Sequence, residues 1–169
     1  MTYPPVIIVD DHDRPTGVAM LADAWREGLV HRSVLVMVED GQGNILLQKR
    51  SLHMQLYPGR WDNSAAGHVD EGMTYHDAAL QEVIEELGIA PTGLAEIGYL
   101  YTDDVYEGRI MKQFRKVYRL KYTQGTPTTQ EEHEVTELRW FPIEEAKQML
   151  AAQPELFSAG LRHVLERLY

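Results

Sequence analysis

The segment from Thr74 to Gly88 constrains the fold of this chain most strongly, because its pattern specifies a helix together with both of its ends. Thr74 is a favourable N-cap with Asp77 in the first turn, and Gly88 is a favourable C-terminal stop. At 3.6 residues per turn, apolar and acidic side chains separate onto opposite sides. The apolar stripe consists of Leu80, Val83, Ile84 and Leu87, and the acidic face of Glu82, Glu85 and Glu86. We therefore expect the stripe to be buried and the glutamates to lie away from the core.

Three glutamates on one helical face repel each other. Like charges three or four residues apart each cost about 0.2–0.5 kcal/mol, and anions in the last turn oppose the helix dipole by about 0.3–1 kcal/mol. A solvated polar face is the ordinary explanation of such charges. A divalent cation is the alternative, because Mg²⁺ or Mn²⁺ binds carboxylate oxygens and would reverse both unfavourable terms. Gly67, in the loop before the helix, lets backbone approach a ligand and offers its carbonyl as a further ligand.

Short apolar segments alternate with turn and helix signals along the rest of the chain. This alternation predicts one mixed α/β or α+β domain over residues 1–169. The pattern also predicts a turn at residues 15–17, and a last helix that begins at Pro154 and runs to about Leu168. The predicted strands are 6–9, 33–38, 45–48, 61–66, 94–101, 110–122 and 138–141, and the other predicted helices are 19–27 and 143–151.

Composition excludes several classes of function. With a formal net charge of -10 among 169 residues, the protein lacks the positive surface that long nucleic acids require. It contains no cysteine, which excludes disulfides, thiol chemistry and cysteine-ligated zinc. No apolar run approaches the roughly 20 residues that span a bilayer, and the first residues do not resemble a secretory signal. We expect no membrane association and, by default, a cytoplasmic location.

Residues 67–89, GHVDEGMTYHDAALQEVIEELGI, resemble the Nudix box. The matching positions are Gly67, Glu82, Val83, Glu85, Glu86, Gly88 and Ile89. The resemblance implies a single Nudix domain, an α/β/α sandwich with a mixed β-sheet. It also implies a hydrolase in which Mg²⁺ or Mn²⁺, bound by the three glutamates and the Gly67 carbonyl, assists water to attack a phosphorus of a small-molecule diphosphate. The expected substrate is a nucleoside diphosphate joined to another group.

Two positions depart from the Nudix box: Met73 stands where the family has Glu, and Gln81 where it has Arg. In the family these two residues are understood to pair with each other. Replacing a whole ion pair by neutral groups is often nearly neutral, whereas removing one partner is costly. We therefore expect the scaffold and the metal site to survive. The alternative is a binding module that keeps the fold but has weakened chemistry.

Further candidate site residues lie outside the helix. Family members often use an additional acid before a late strand, and Glu134 is the first choice for this role, with Glu132 the second; a solvated acidic loop is the alternative. The catalytic set is then Glu85, Glu82 and Glu134, with Glu82 or Glu86 able to combine ligation and proton transfer. Basic residues before the box and on a later basic strand are candidates for binding phosphate, or are ordinary surface charges. They are Lys49, Arg50, Arg60 and Arg115.

The segments VIIVDDHDRPTGVAM, HRSVLVMVEDGQGNILLQKRS and WDNSAAGH resemble the isopentenyl-diphosphate isomerase branch of the Nudix superfamily. Isomerases of this branch carry a catalytic Cys where this chain has Ala66, and a pair of glutamates on a later strand where RIMKQFRKVYRL has none. The resemblance therefore implies an isomerase-like hydrolase, with an isomerase as a weaker alternative. His31 and His68 match histidines that bind metal in the isomerases, so a remnant of that site is an open alternative, as is a homodimer.

Overall fold

The computed structural model describes residues 4–128 and 133–169. Within them, the chain forms four α-helices and nine β-strands that belong to one mixed sheet. The helices are α1 (Leu21–Glu27), α2 (Tyr75–Leu87), α3 (Ile143–Ala152) and α4 (Ala159–Leu168). The strands are β1 (Pro5–Val9), β2 (Pro15–Met20), β3 (His31–Glu39), β4 (Asn44–Arg50), β5 (Trp61–Asp62), β6 (Ala65–His68), β7 (Ala95–Tyr106), β8 (Arg109–Lys121) and β9 (Val135–Pro142). No helix in these ranges is long and apolar enough to cross a membrane.

Strand β3 organises the sheet. It pairs in parallel with β8 and antiparallel with β1, β4 and β6. Because side chains alternate along a strand, Val34 and Val36 face the core that contains α2, whereas Leu35 and Met37 face the core that contains α3 and α4. The sheet therefore lies between helices on both faces, which confirms the predicted α/β/α sandwich with a mixed sheet.

Two local predictions were wrong. Residues 15–17 do not form a turn; they begin β2, which pairs antiparallel with β1, while the chain reverses at Asp10–Arg14. Pro154 does not open the last helix but a short 3-10 turn, Pro154–Leu156. The helix α4 begins later, where the Ser158 hydroxyl accepts a hydrogen bond from the Leu161 N–H. At residues 15–17 the turn signal was overridden by pairing with β1, and at Pro154 the helix-start signal was overridden by the later cap at Ser158.

The ends of α2 are as predicted, but its orientation is not. Thr74 and Asp77 form a capping box, and Gly88 ends the helix in the left-handed conformation. Ile84, which the pattern assigned to the buried stripe, is 52% exposed, whereas Glu86 is 6% exposed. The helix is therefore rotated so that one of its glutamates faces inward, and the acidic residues do not form a uniformly solvated face.

Candidate active site

A cavity of about 460 Å³ opens between α2 and the strands β3, β6 and β8, with α1 on its other side. Its size is in the range typical of small-molecule sites. Acidic residues of its lining are Asp70, Glu82, Glu85, Glu86 and Glu134, and basic residues are Arg50 and Arg115. The cavity thus contains all three glutamates of α2 and two of the four predicted phosphate-binding residues.

Gly67 and Glu82 meet at the acidic end of the cavity. Gly67 lies on β6, and a β-carbon at this position would overlap the Glu82 carboxylate. Any residue with a side chain would therefore push Glu82 away from the strand. The predicted proximity of the Gly67 backbone to the α2 glutamates is present in the structure.

Glu86 is held inside the protein by two donors. Its Oε2 accepts hydrogen bonds from the Ala66 N–H at 3.1 Å and the Gln48 side-chain amide at 3.2 Å. Burial raises the pKa of Glu86 well above its ordinary value, and the like charge of Glu82 raises it further. A buried, ionised carboxylate is unfavourable unless a cation compensates it.

Glu85 occupies the outer edge of the same acidic group. Its side chain is exposed, and it also lines the cavity. Burial raises the pKa of the neighbouring Asp70, and the charge of Glu85 adds to this effect. The group of carboxylates therefore concentrates negative charge at one end of the cavity, where a divalent cation would be stabilised.

The carboxylate oxygens at this end of the cavity are the donors that a hard divalent cation prefers. Within residues 4–128 and 133–169, however, no three His, Asp or Glu side chains are arranged to hold an ion. The ligand set Gly67, Glu82, Glu85 and Glu86 therefore stays a prediction.

Arg50 is held at the cavity wall by Asp62. This buried carboxylate accepts hydrogen bonds from Arg50 Nη1 at 2.8 Å and from the Ser158 hydroxyl at 2.6 Å. Arg50 also donates from Nε to the Leu56 carbonyl at 2.8 Å. These contacts link β5 to the start of α4 and fix the guanidinium at the cavity wall.

The NUDIX domain model matches residues 29–168 of this chain. The chain belongs to the Nudix family. Membership supports hydrolysis of pyrophosphate linkages in general terms.

Some relatives of this Nudix protein are named as isomerases and others as Nudix hydrolases. An isopentenyl-diphosphate Delta-isomerase of Nocardia farcinica is 35% identical over 165 residues, which cover 96% of this chain and 93% of the relative. A Nudix hydrolase of Pseudomonas aeruginosa is 38% identical over 96 residues, 57% of each chain. The similarity to isomerases therefore extends along nearly the whole chain, in agreement with the predicted branch.

Solved structures show the same fold. The protein DR0079 of Deinococcus radiodurans superposes with a TM-score of 0.82 at 23% identity, covering 98% of this chain and 99% of that one. The NUDIX domain of Shewanella oneidensis NrtR, crystallised with ADP ribose, superposes with a TM-score of 0.61 at 18% identity, covering 80% of this chain and 85% of that one. At these identities the likeness establishes the Nudix fold alone.

Within the described residues, the contacts of His31 and His68 give no support to the alternative of a remnant metal site. Their rings lie 5.4 Å apart, but both nitrogens of His31 are occupied: Nδ1 donates to the Leu29 carbonyl and Nε2 accepts from the Gln113 amide. Burial lowers the pKa of His31 to about 4 and that of His68 well below its ordinary value, and the positive charge of Arg115 lowers both. The positive charge of Arg115 acts on both histidine rings and opposes binding of a metal cation beside them.

The other predicted residues divide into two groups. Glu134, at the start of β9, lines the cavity with the α2 glutamates, while Glu132 lies outside the described residues. Lys49 lies over the Trp61 ring, and Arg60 over Tyr57 and Tyr106. Among the residues that the structure describes as lining the cavity, neither Lys49 nor Arg60 is found, so their predicted role in substrate binding has no geometric support.

Sequence reasoning missed three polar residues that shape the site: Gln48, Asp62 and Gln113. Each is buried on a strand, and each orients a residue that the sequence had singled out. A polar residue within an apolar strand is an available signal, because buried polar groups need partners. The partners themselves lie far away in sequence, so the signal does not identify them.

Proposed function

We propose that this Nudix protein is a divalent-metal-dependent hydrolase that cleaves a diphosphate linkage in a nucleoside diphosphate derivative or a related small molecule. Water attacks phosphorus in this reaction. The observation that carries the proposal is the meeting of Glu82 and the buried Glu86 with the backbone of Gly67 and Ala66. The protein holds two like charges together at a wall of a substrate-sized cavity, an arrangement that is unfavourable without a cation.

Mg²⁺ or Mn²⁺ is the cofactor of this proposal, with Glu82, Glu85, Glu86 and the Gly67 carbonyl as its ligands. When bound, such an ion neutralises phosphate charge and lowers the pKa of the attacking water. The Ala66 N–H and Gln48 orient Glu86. Glu134 accepts the proton of the water, a role that Glu82 or Glu86 can share.

Arg50 and Arg115 are the proposed contacts for anionic groups of the substrate. Both guanidiniums are nearly buried and held by hydrogen bonds, so little side-chain entropy is lost when they bind. Because Arg50 keeps its charge partly compensated by Asp62, it binds phosphate without leaving an isolated charge in the empty cavity.

An isomerase is less well supported. Protonating an alkene requires a positioned acid, and Ala66 offers none where the isomerases have their Cys. Met111 and Gln113 line the cavity on β8, and neither is ionisable. These residues supply no proton donor near the two histidines.

A binding module is the second candidate, favoured by the two neutral departures from the Nudix box. Met73 packs against the core beside α2, and Gln81 lines the cavity. If the missing ion pair limits the chemistry, the double substitution Met73→Glu with Gln81→Arg should raise turnover sharply. Unchanged turnover would mean that the departures are tolerated.

The proposal is tested by phosphate release from a panel of nucleoside di- and triphosphates, nucleotide sugars, dinucleotides and isoprenoid diphosphates. Wild type and Glu85→Gln are compared with Mg²⁺, with Mn²⁺ and with EDTA; Glu144→Gln, at an exposed position on α3, is the matched control. We expect metal-dependent cleavage that collapses in Glu85→Gln and persists in Glu144→Gln. Metal-dependent binding without cleavage of any compound would favour the binding module, and isomerisation of an isoprenoid diphosphate would overturn the hydrolase.

A further inference from the structure

Arg115 occupies an unusual position for a charged residue. It is 6% exposed, it lies on the central strand pair β3–β8, and it lines the cavity. Its Nη2 donates to the Gln113 side-chain oxygen, but its buried Nε has no hydrogen-bond partner among the described residues. A buried cation has lost much of its solvation, and an anionic group bound in the cavity would compensate its charge.

The guanidinium is held in one orientation by a chain of hydrogen bonds. Arg115 donates to Gln113, Gln113 donates to His31 at 2.9 Å, and His31 donates to the Leu29 carbonyl at 3.0 Å. The direction of each hydrogen bond follows from the Leu29 carbonyl, which can only accept. The proton of His31 is therefore on Nδ1, and Nε2 accepts from the Gln113 amide. The chain leaves Arg115 pre-oriented toward the cavity.

The charge of Arg115 is incompletely compensated. The nearest carboxylate oxygen, on Asp104, lies 3.7 Å from Nη2, and Asp104 also accepts a hydrogen bond from His163 at 3.0 Å. Asp104 therefore divides its charge between two donors. Residual positive charge at the cavity wall favours an anionic group of the ligand.

This basic position is separated from the acidic end by the width of two strand pairings. Arg115 is aligned with Ser33 on β3, and Ser33 with His68 on β6. Two strand spacings correspond to roughly 10 Å between the backbones of Arg115 and His68. Gly67 is next to His68 and lines the same cavity as Arg115, so a ligand whose diphosphate lies beside Gly67 extends toward Arg115 with the group that the diphosphate carries.

Apolar residues complete this end of the cavity. Leu21, Trp25, Tyr57 and Met111 belong to one hydrophobic cluster and also line the cavity. They would accept the body of an organic group. A purely hydrocarbon group, however, would cover the Arg115 guanidinium without compensating its charge, which is penalised.

We propose that this end of the cavity is a specificity subsite in which Arg115 binds a carboxylate or phosphate oxygen at the far end of the group attached to the diphosphate. The subsite accepts compounds with a terminal oxyanion and discriminates against plain hydrocarbon diphosphates. This assignment rests on the proposed function for the position of the diphosphate, and it deepens that function by naming a class of substrate.

A matched pair of ligands tests the subsite: 4-carboxybutyl diphosphate and pentyl diphosphate, which differ only in their terminal carboxylate and methyl group. Their affinities are measured by calorimetry in Mg²⁺, in the Glu134→Gln background, which keeps the proposed metal ligands and removes the proposed proton acceptor so that turnover does not interfere. We expect the carboxylate compound to bind about tenfold or more tightly, as for a charged hydrogen bond. Equal affinities, a preference for pentyl diphosphate, or binding of neither compound would overturn the subsite.

Two variants show whether Arg115 is responsible for the preference. Arg115→Met should abolish the preference by weakening binding of 4-carboxybutyl diphosphate while leaving binding of pentyl diphosphate unchanged or stronger. Arg119→Met, at an exposed position on the same strand, is the control and should keep the full preference. A preference that survives in Arg115→Met would also overturn the assignment.

Gly160→Ala provides a test that retains the arginine. A β-carbon at Gly160 would lie 2.8 Å from Arg115 Nη1, so the guanidinium must move, while alanine is well tolerated in the helix α4. The preference should fall in this variant too, and a melting curve verifies that it is folded. Binding and cleavage are measured separately, so the two proposals can fail independently. A binding preference for 4-carboxybutyl diphosphate without cleavage of any compound in the panel would support the subsite and refute the hydrolase. Cleavage without this preference would support the hydrolase and refute the subsite.

Discussion

The carboxylate of Glu82 lies directly against the α-carbon of Gly67, in space that a β-carbon would occupy. This contact brings the helix α2 and the strand β6 together at the acidic end of the cavity. The absence of a side chain at Gly67 therefore has a specific steric reason, and it is independent of backbone conformation because Gly67 does not adopt a positive φ angle.

Gly67→Ala should displace Glu82 and weaken binding of Mn²⁺ by about 10- to 100-fold, the range for disturbed support of metal ligands. The measurement is a titration with Mn²⁺ followed by electron paramagnetic resonance. Gly93→Ala is the matched control, since a β-carbon there meets no atom within 4 Å. Unchanged Mn²⁺ affinity in Gly67→Ala would show that Glu82 is not held for the metal.

Glu86→Gln should stabilise the metal-free protein while removing metal-dependent activity. The substitution removes a buried carboxylate whose pKa is raised by burial and by the charge of Glu82. We therefore expect the free energy of unfolding in EDTA, measured with urea, to increase. Glu85→Gln, at an exposed position, should change it little, and a destabilised Glu86→Gln would contradict this explanation.

The buried His31 should make stability depend on pH. Its pKa falls from 6.5 to about 4 on folding, chiefly through burial. Between these values the unfolded chain binds a proton that the folded protein does not, so stability declines as pH falls from about 6.5 toward 4, by up to about 1.4 kcal/mol per unit. Above pH 6.5 this contribution is fully present.

Unfolding of the wild type and of His31→Gln between pH 4 and 8 measures this dependence. The wild type should show the steeper decline, and His31→Gln a decline that is shallower by about the slope of one proton. His53→Gln, at an exposed position, should follow the wild type. Parallel curves for the wild type and His31→Gln would mean that His31 is protonated in the folded protein.

Asp62→Asn should destabilise the protein by about 3 kcal/mol, because it leaves the nearly buried Arg50 without its counter-charge and weakens the bond to Ser158. Asp23→Asn is the control: its ion pair with Arg26 is exposed, and such pairs contribute about 1 kcal/mol or less. Chemical denaturation of the two variants gives the comparison. Equal losses would show that Asp62 is not the residue that holds Arg50 at the cavity wall.

The sequence by itself determined α2, with its capping box and terminal glycine, and the glutamates and Gly67 that identify the Nudix box. These features are local: caps and helical periods depend on residues within a few positions of each other. The alternation of apolar segments likewise predicted a mixed α/β or α+β domain, and the resemblance to the Nudix family implied the sandwich with a mixed sheet. The sequence did not predict which residues far apart in the chain contact each other. The turn signal at residues 15–17 was misleading because these residues pair with β1 as a strand.

The tertiary structure alone determined which residues of these elements are buried and which partners they contact. Packing against β6 rotated α2, which exposed Ile84 and buried Glu86. The parallel pairing of β3 with β8 brought His31 to Gln113, 82 residues away, and so turned a strand arginine, Arg115, into part of the cavity. The physical reason is that periodicity determines which side of an element a residue occupies, whereas burial and hydrogen-bonding partners depend on which other element packs against that side.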